Sequence, residues 1–158
     1  MSDERVIDIL IVEDGDEYLE NLSRFVIGPR YVQAHNGGEA LAALRSSPVD
    51  LIYLDMRFDR IPLTDLLGDH EKATRDHNGD AKTAWKHLQD NQGLYILNSF
   101  REASFGGKPV ILAYDFSREG ARFEHLRRLY PRLRWVPDAV TPGEIMNLIR
   151  EMTAPHGA

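Results

Sequence analysis

The 158-residue sequence contains no cysteine, which excludes disulfide frameworks, thiolate metal sites and thiol catalysis, so any metal must be held by oxygen or imidazole. No apolar run approaches the roughly 20 residues needed to cross a bilayer as a helix. The opening Met1-Ser2-Asp3-Glu4-Arg5 also lacks the cationic, apolar, small-residue order of a signal peptide. A cytoplasmic location without a membrane partner is expected. Basic residues are outnumbered, with 19 Lys and Arg against 25 Asp and Glu and a formal charge of −6, which argues against nucleic acid as a partner. With 42% hydrophobic and 28% charged residues, the chain reads as one globular domain, 1–158, with its own core.

Short β-branched runs alternate with stretches of helical period, the signal of an α/β parallel sheet. Val6-Ile7-Asp8-Ile9-Leu10-Ile11-Val12 is nearly all apolar, as a central strand buried on both faces should be, with Asp8 the one discord. A helix follows with Leu19, Leu22, Phe25 and Val26 on one stripe, and Gly28-Pro29 ends it. Tyr31-Val32-Gln33-Ala34 is a second strand, and Asn36-Gly37-Gly38-Glu39 has the form of a capping box for a helix buried through Ala40, Leu41 and Leu44. Val49-Asp50-Leu51-Ile52-Tyr53-Leu54 forms a third strand ending at Asp55, and Pro109-Val110-Ile111-Leu112-Ala113 a fourth. Ser117 is expected to cap the next helix, with Phe123, Leu126 and Leu129 inward, before a fifth strand at Arg134-Trp135-Val136. Thr141-Pro142-Gly143-Glu144 opens the last helix, whose stripe is Ile145, Leu148, Ile149 and Met152, and the tail 154–158 should fray.

One connection breaks the rhythm. Units of this kind join their elements through about 2–6 residues, whereas residues 57–92 form an insertion after the third strand. Ala81, Ala84, Trp85 and Leu88 there suit a short amphipathic helix, and Pro62, Gly68 and Gly79 mark turns. The segment is either a lid or docking arm over a site, or an embellishment packed on the surface.

In a doubly wound sheet, ligands sit outside the carboxyl ends of the strands where strand order reverses. Glu13 and Asp14 end the first strand and Asp55 the third, so adjacency of these strands brings three carboxylates into one crevice. Singly, each reads as a helix-start or strand-end residue. Together they call for a cation, and oxygen-only ligation with room for water suits Mg²⁺, which would also neutralise a phosphoryl group delivered to Asp55.

Ile9-Leu10-Ile11-Val12-Glu13-Asp14, His35-Asn36-Gly37-Gly38-Glu39-Ala40-Leu41 and Val49-Asp50-Leu51-Ile52-Tyr53-Leu54-Asp55-Met56 closely resemble the bacterial response-regulator receiver domain of two-component signalling. Gly93-Leu94, Lys108-Pro109-Val110-Ile111-Leu112 and Val140-Thr141-Pro142 extend the likeness over nearly all of the chain outside the insertion. The resemblance implies a doubly wound, flavodoxin-like fold with five parallel strands in order 2-1-3-4-5. It implies Asp55 as the aspartyl-phosphate position, loaded by a histidine kinase or phosphotransfer protein of a phosphorelay. It also implies Mg²⁺ on Asp14, Asp55 and the main-chain carbonyl of Arg57, with Glu13 acting through water.

Two positions depart from that family's pattern. Tyr114 stands where a Thr or Ser hydroxyl usually binds the phosphoryl oxygen, and Asp138 stands where a lysine usually does. Shifting the alignment to place Thr141-Pro142 there still supplies no ammonium. Losing one preorganised donor at a site of developing charge costs about 3–4 kcal/mol, and a further carboxylate adds repulsion. The expectation is therefore an atypical receiver with weak or no phosphorylation. If Asp138 faces the cleft, the cluster should either grip a divalent ion harder or hold a proton on one member. Arg57, Lys108, Arg118 and Ser117 are candidate substitutes for the missing donors.

Arg118, Arg122, Arg127, Arg128, Arg132 and Arg134 crowd the fourth helix and fifth strand, a surface for an acidic partner or a homodimer, or simply a solvated face. His70, His77 and His87 lack compact metal spacing and read as surface residues. Three functions follow: a phosphoryl-accepting switch, a phosphorylation-independent pseudo-receiver that binds partners, and a haloacid-dehalogenase-type phosphatase. The last usually needs a second Asp two residues after the nucleophile, where this chain has Arg57. No enzyme activity is expected beyond self-phosphorylation of Asp55 from a phosphodonor.

Overall fold

The computed structural model describes residues 5–154; the expectations for the first four residues and for fraying of 155–158 lie outside the described residues. Five strands, β1 (Asp8–Val12), β2 (Arg30–Ala34), β3 (Leu51–Asp55), β4 (Val110–Ala113) and β5 (Leu133–Val136), form one parallel sheet in order β2-β1-β3-β4-β5. Side chains alternate across each strand, so the sheet feeds two cores. Ile9, Ile11, Leu51, Tyr53 and Ile111 face α1 (Glu17–Phe25) and α7 (Pro142–Thr153) through Leu22, Ile145 and Ile149. Leu10, Val12, Ile52, Leu54 and Leu112 face α2 (Gly37–Ser46), α5 (Gln92–Glu102) and α6 (Gly120–Leu129) through Ala40, Ile96 and Phe123. Each fully buried aliphatic chain is worth about 1.5–3 kcal/mol, enough to hold the central strands and their carboxyl ends rigid.

Asp8, discordant in the sequence, is buried and takes both nitrogens of the Arg30 fork, at 2.9 and 3.2 Å. The α7 cap is as expected, with Thr141 Oγ1 accepting from the Glu144 amide at 3.2 Å and Pro142 in the first turn. At α2, Asn36 accepts from the Glu39 amide at 2.8 Å, but the Glu39 carboxylate returns one residue earlier than in the standard box, to the His35 amide at 2.9 Å. Three sequence expectations are corrected. Ser117 does not cap a helix: α6 begins at Gly120 behind Glu119, and the Ser117 amide is held by Asp115 Oδ1 at 2.8 Å. Phe25 and Leu129, the last residues of α1 and α6, are exposed, and the following Val26 and Tyr130 are buried in their stead.

The insertion folds as a helical hairpin, α3 (His70–Asp76) and α4 (Ala81–Asp90). It turns at Asn78 and Gly79, both at positive φ. Helix α4 is the amphipathic segment read from the sequence. Helix α3 was not legible there because it buries only Ala73 and so carries no apolar stripe. Ala73, Ala84 and Leu88 form a small core with Leu66, Trp85 and Tyr95 around it. The histidines are not plain surface residues. His70 stacks on Trp85 with centroids 3.7 Å apart, and His87 meets the Tyr95 hydroxyl at 3.2 Å.

Two buried side chains fasten this insertion to the sheet. Phe58 is wholly buried in the main core, with its amide donating to the Gln89 carbonyl at 2.9 Å. Gln92, also fully buried, accepts from the Leu67 amide at 2.7 Å and donates to the Leu67 and Leu88 carbonyls at 3.0 and 3.1 Å. Replacing it with Leu keeps the volume but strands those backbone groups, a loss of about 1–3 kcal/mol. Gln92→Leu should therefore lower the denaturation midpoint and unprotect the Leu67 amide in hydrogen exchange; an unchanged Leu67 amide would rule out this anchor.

Candidate functional site

All strands are parallel, so their carboxyl ends share one rim, and strand order reverses between β1 and β3. The register pairs Val12 with Leu54, which sets Glu13 beside Asp55 at that reversal. Glu13 is buried, and its carboxylate accepts from the Tyr18 amide at 3.0 Å, bracing the first turn of α1. Gln33 reaches from β2 to the carbonyls of Glu13 and Gly15 at 3.2 and 3.3 Å and ties down the β1–α1 loop. Asp55 is half-buried and accepts from the Met56 amide at 2.8 Å. Gly93 packs directly on its backbone: a Cβ there would stand 2.5 Å from the Asp55 carbonyl oxygen. Asp138, beyond β5, is exposed and adds its charge to the same rim.

The carboxylates are close enough to perturb one another. Burial chiefly, with the charges of Glu17 and Asp55, pushes Glu13 up to about 7 against the pull of the Tyr18 amide. Burial, with the charges of Asp14 and Asp138, pushes Asp55 up to about 6 against the Met56 amide.

Asp14 is differently placed. Its side chain is only 3% exposed, and nitrogen donors from the insertion surround it. Oδ2 accepts from the amides of Asp59 and Arg60, both at 3.0 Å, and Oδ1 accepts from Arg60 Nη2 at 3.1 Å. The same guanidinium grips Glu17 at 2.6 and 2.9 Å, and Glu17 is drawn down to about 2, chiefly by that contact. Arg60 was missed by sequence reasoning. It lies 46 positions from Asp14 in an irregular loop, and no local pattern announces such a pairing.

No protein-family model and no curated protein sequence matches the chain. Solved structures do. The Francisella response regulator 1452 receiver domain aligns with a TM-score of 0.62 at 14% identity, over 93% of this chain and 96% of that one. The Vibrio cholerae chemotaxis protein CheY4 aligns at 0.62 and 14%, over 94% and 99%. The signal receiver domain of an HD domain-containing protein from Pseudomonas fluorescens Pf-5 aligns at 0.63 and 14%, over 97% and 90%.

The chain has the receiver-domain fold.

Within the receiver fold Tyr114 has definite surroundings. Tyr114 follows β4 and turns its hydroxyl to Glu119, which Arg122 also holds at 3.0 Å, while Arg122 reaches on to Asn91 at 2.8 Å. The phenol ring packs edge-on against Phe116, with centroids 4.7 Å apart. It is therefore committed to the start of α6. Two of the cations expected as substitutes lie elsewhere: Lys108 binds the Val49 carbonyl, at the opposite end of the sheet, at 2.7 Å, and the Arg57 side chain pairs with Asp90 at 3.2 Å. Arg60, from the insertion, does reach the rim through Asp14.

A receiver fold implies a divalent ion held by Asp14, Asp55 and the Arg57 carbonyl. The donor set as folded does not fit one. Oδ2 of Asp14 already accepts from two main-chain amides, and Oδ1 is held by the Arg60 guanidinium, whose positive charge opposes a divalent ion beside it.

The raised carboxyls fix the sign of the pH dependence. Glu13 and Asp55 rise from ordinary values of 4.5 and 3.8, so the folded state binds more protons than the unfolded state between those values and about 7. Their stabilising contribution is complete below about pH 4 and is lost as pH rises through 6 and 7. Glu17 acts in the opposite sense, but its contribution is lost only as pH falls from 4.5 through about 2. Thermal melts should therefore show the protein more stable at pH 5 than at pH 7.5, and Glu13→Gln should flatten that slope; a melting temperature rising across this interval would contradict the assignment.

Proposed function

We propose that the chain is a receiver-type signalling module of a two-component system, with Asp55 at the aspartyl-phosphate position, and that it acts by protein contact and not by turnover. The carrying observation is the rim itself. Asp55 ends the central strand among further carboxylates, where a phosphoryl acceptor would stand, yet the positions for a hydroxyl and an ammonium hold Tyr114 and Asp138. A phosphoryl group moving from a phosphohistidine to the Asp55 carboxylate breaks a P–N bond and forms the P–O bond of an acyl phosphate, while the departing imidazole takes any proton it needs from solvent. Such a transfer concentrates negative charge where this site already has an excess.

With the hydroxyl turned away to Glu119 and a carboxylate in place of an ammonium, slow or absent transfer is the reading these residues support. A histidine kinase or phosphotransfer protein is the phosphodonor in the first case. In the second, the same surface works as a phosphorylation-independent pseudo-receiver. We place the module in the cytoplasm, with Mg²⁺ as the ion that any phosphorylation would require.

For the partner, the arginine-rich α6 and β5 remain the proposed contact. Its accessible charge is smaller than the sequence suggests, because Arg122, Arg132 and Arg134 are engaged with Asn91, the Met152 carbonyl and Glu151.

Intact-mass analysis after incubation with acetyl phosphate and Mg²⁺ separates the two forms. Addition of one phosphoryl mass that Asp55→Asn abolishes identifies a working acceptor. An unchanged mass under forcing conditions identifies the pseudo-receiver.

A further inference from the structure

The insertion delivers one cation into the acidic rim, and its seating is built from both sides. Asp14 is a buried acceptor with three N–H donors around it, two of them main-chain, so the loop at Asp59 and Arg60 is locked in place before the guanidinium is considered. The guanidinium then meets Glu17 with both terminal nitrogens, the forked geometry that arginine offers and lysine does not.

Gly15 provides a second, independent observation. It lies between the two acids, and a Cβ there would collide with the Arg60 guanidinium and with the Glu17 carboxylate. The β1–α1 loop therefore has a side-chain-free gap that the guanidinium fills.

We infer that Arg60 is the resident cation of this rim, standing in the space a divalent ion would need and making the charge balance of the folded site independent of metal. The geometry argues against simple coexistence. A divalent ion ligated by Asp14 needs a free lone pair there, and three of the roughly four are taken by N–H groups of the insertion; an added double charge would also face the guanidinium at short range. Arg60 is half exposed and Glu17 more so, so the barrier it sets is moderate and removable. Metal entry is then coupled to displacement of the loop at 59–60, which the buried Phe58 holds from the neighbouring position.

This inference concerns occupancy of the site and does not rest on whether Asp55 accepts phosphate. It is tested with Mn²⁺ alone, by calorimetry and by paramagnetic broadening of the Asp14 and Asp55 amides. The wild-type protein should bind weakly. Arg60→Ala should bind on the order of tenfold more tightly, since two partly screened ion pairs together offset about one decade in affinity, and the broadening should centre on those two amides. Gly15→Ala, which evicts the guanidinium without deleting it, should shift affinity in the same direction, and Arg60→Lys should fall between Arg60→Ala and wild type. If Arg60→Ala binds Mn²⁺ no better than wild type, the proposal is overturned, whatever the acetyl phosphate experiment returns. Circular dichroism of each variant separates loss of fold from loss of binding.

Discussion

Concentrated negative charge at the carboxyl rim of a parallel sheet is the constraint around which this molecule is arranged. Parallel strands must all end at the same edge, so acids placed after β1, β3 and β5 converge whether or not a ligand is there to neutralise them. The protein offsets that repulsion in three ways. Glu13 and Asp55 retain protons to higher pH than free carboxyls do, main-chain amides are directed at Glu13, Asp14 and Asp55, and a guanidinium is brought in from the insertion. Each is a tertiary answer to a problem created by topology.

The insertion is thereby divided in its role. Its first residues, from Phe58 to Arg60, belong physically to the rim, because they are buried in the main core or bonded to Asp14. The hairpin of α3 and α4 is a separate small packing unit with its own aromatic and histidine contacts. The Phe58 amide joins the two through the Gln89 carbonyl of α4, and Gln92 holds Leu67 and Leu88 at once. Its buried amide is costly unless fully paired, so the position of the insertion and the start of α5 depend on one another.

The sheet and its acids were legible because their signals are local. Continuous apolar runs mark β1 and β3, the Thr141 cap marks α7, and acids at strand ends mark the rim. Helix α3 was not legible, since seven residues with one buried alanine leave no periodicity to read. Ser117 was misread as a cap because short polar residues near helix starts compete for several local hydrogen bonds, and here Asp115 takes its amide. Tyr114 was read as a departure from the receiver pattern, and its partner Glu119 was not legible because that contact depends on where α6 begins.

By itself, the amino-acid order determined an α/β parallel architecture, the placing of Glu13, Asp14, Asp55 and Asp138 at strand ends, and the absence of a hydroxyl and an ammonium where the receiver resemblance calls for them. Those properties follow from neighbours along the chain and from periodicity. Only the tertiary structure decided that Arg60 fills the rim, that Lys108 and Arg57 do not, and that Tyr114 is engaged with α6. A flexible cation can reach many acids, and which one it meets is settled by how a 36-residue excursion, residues 57–92, is anchored by buried groups at both of its ends.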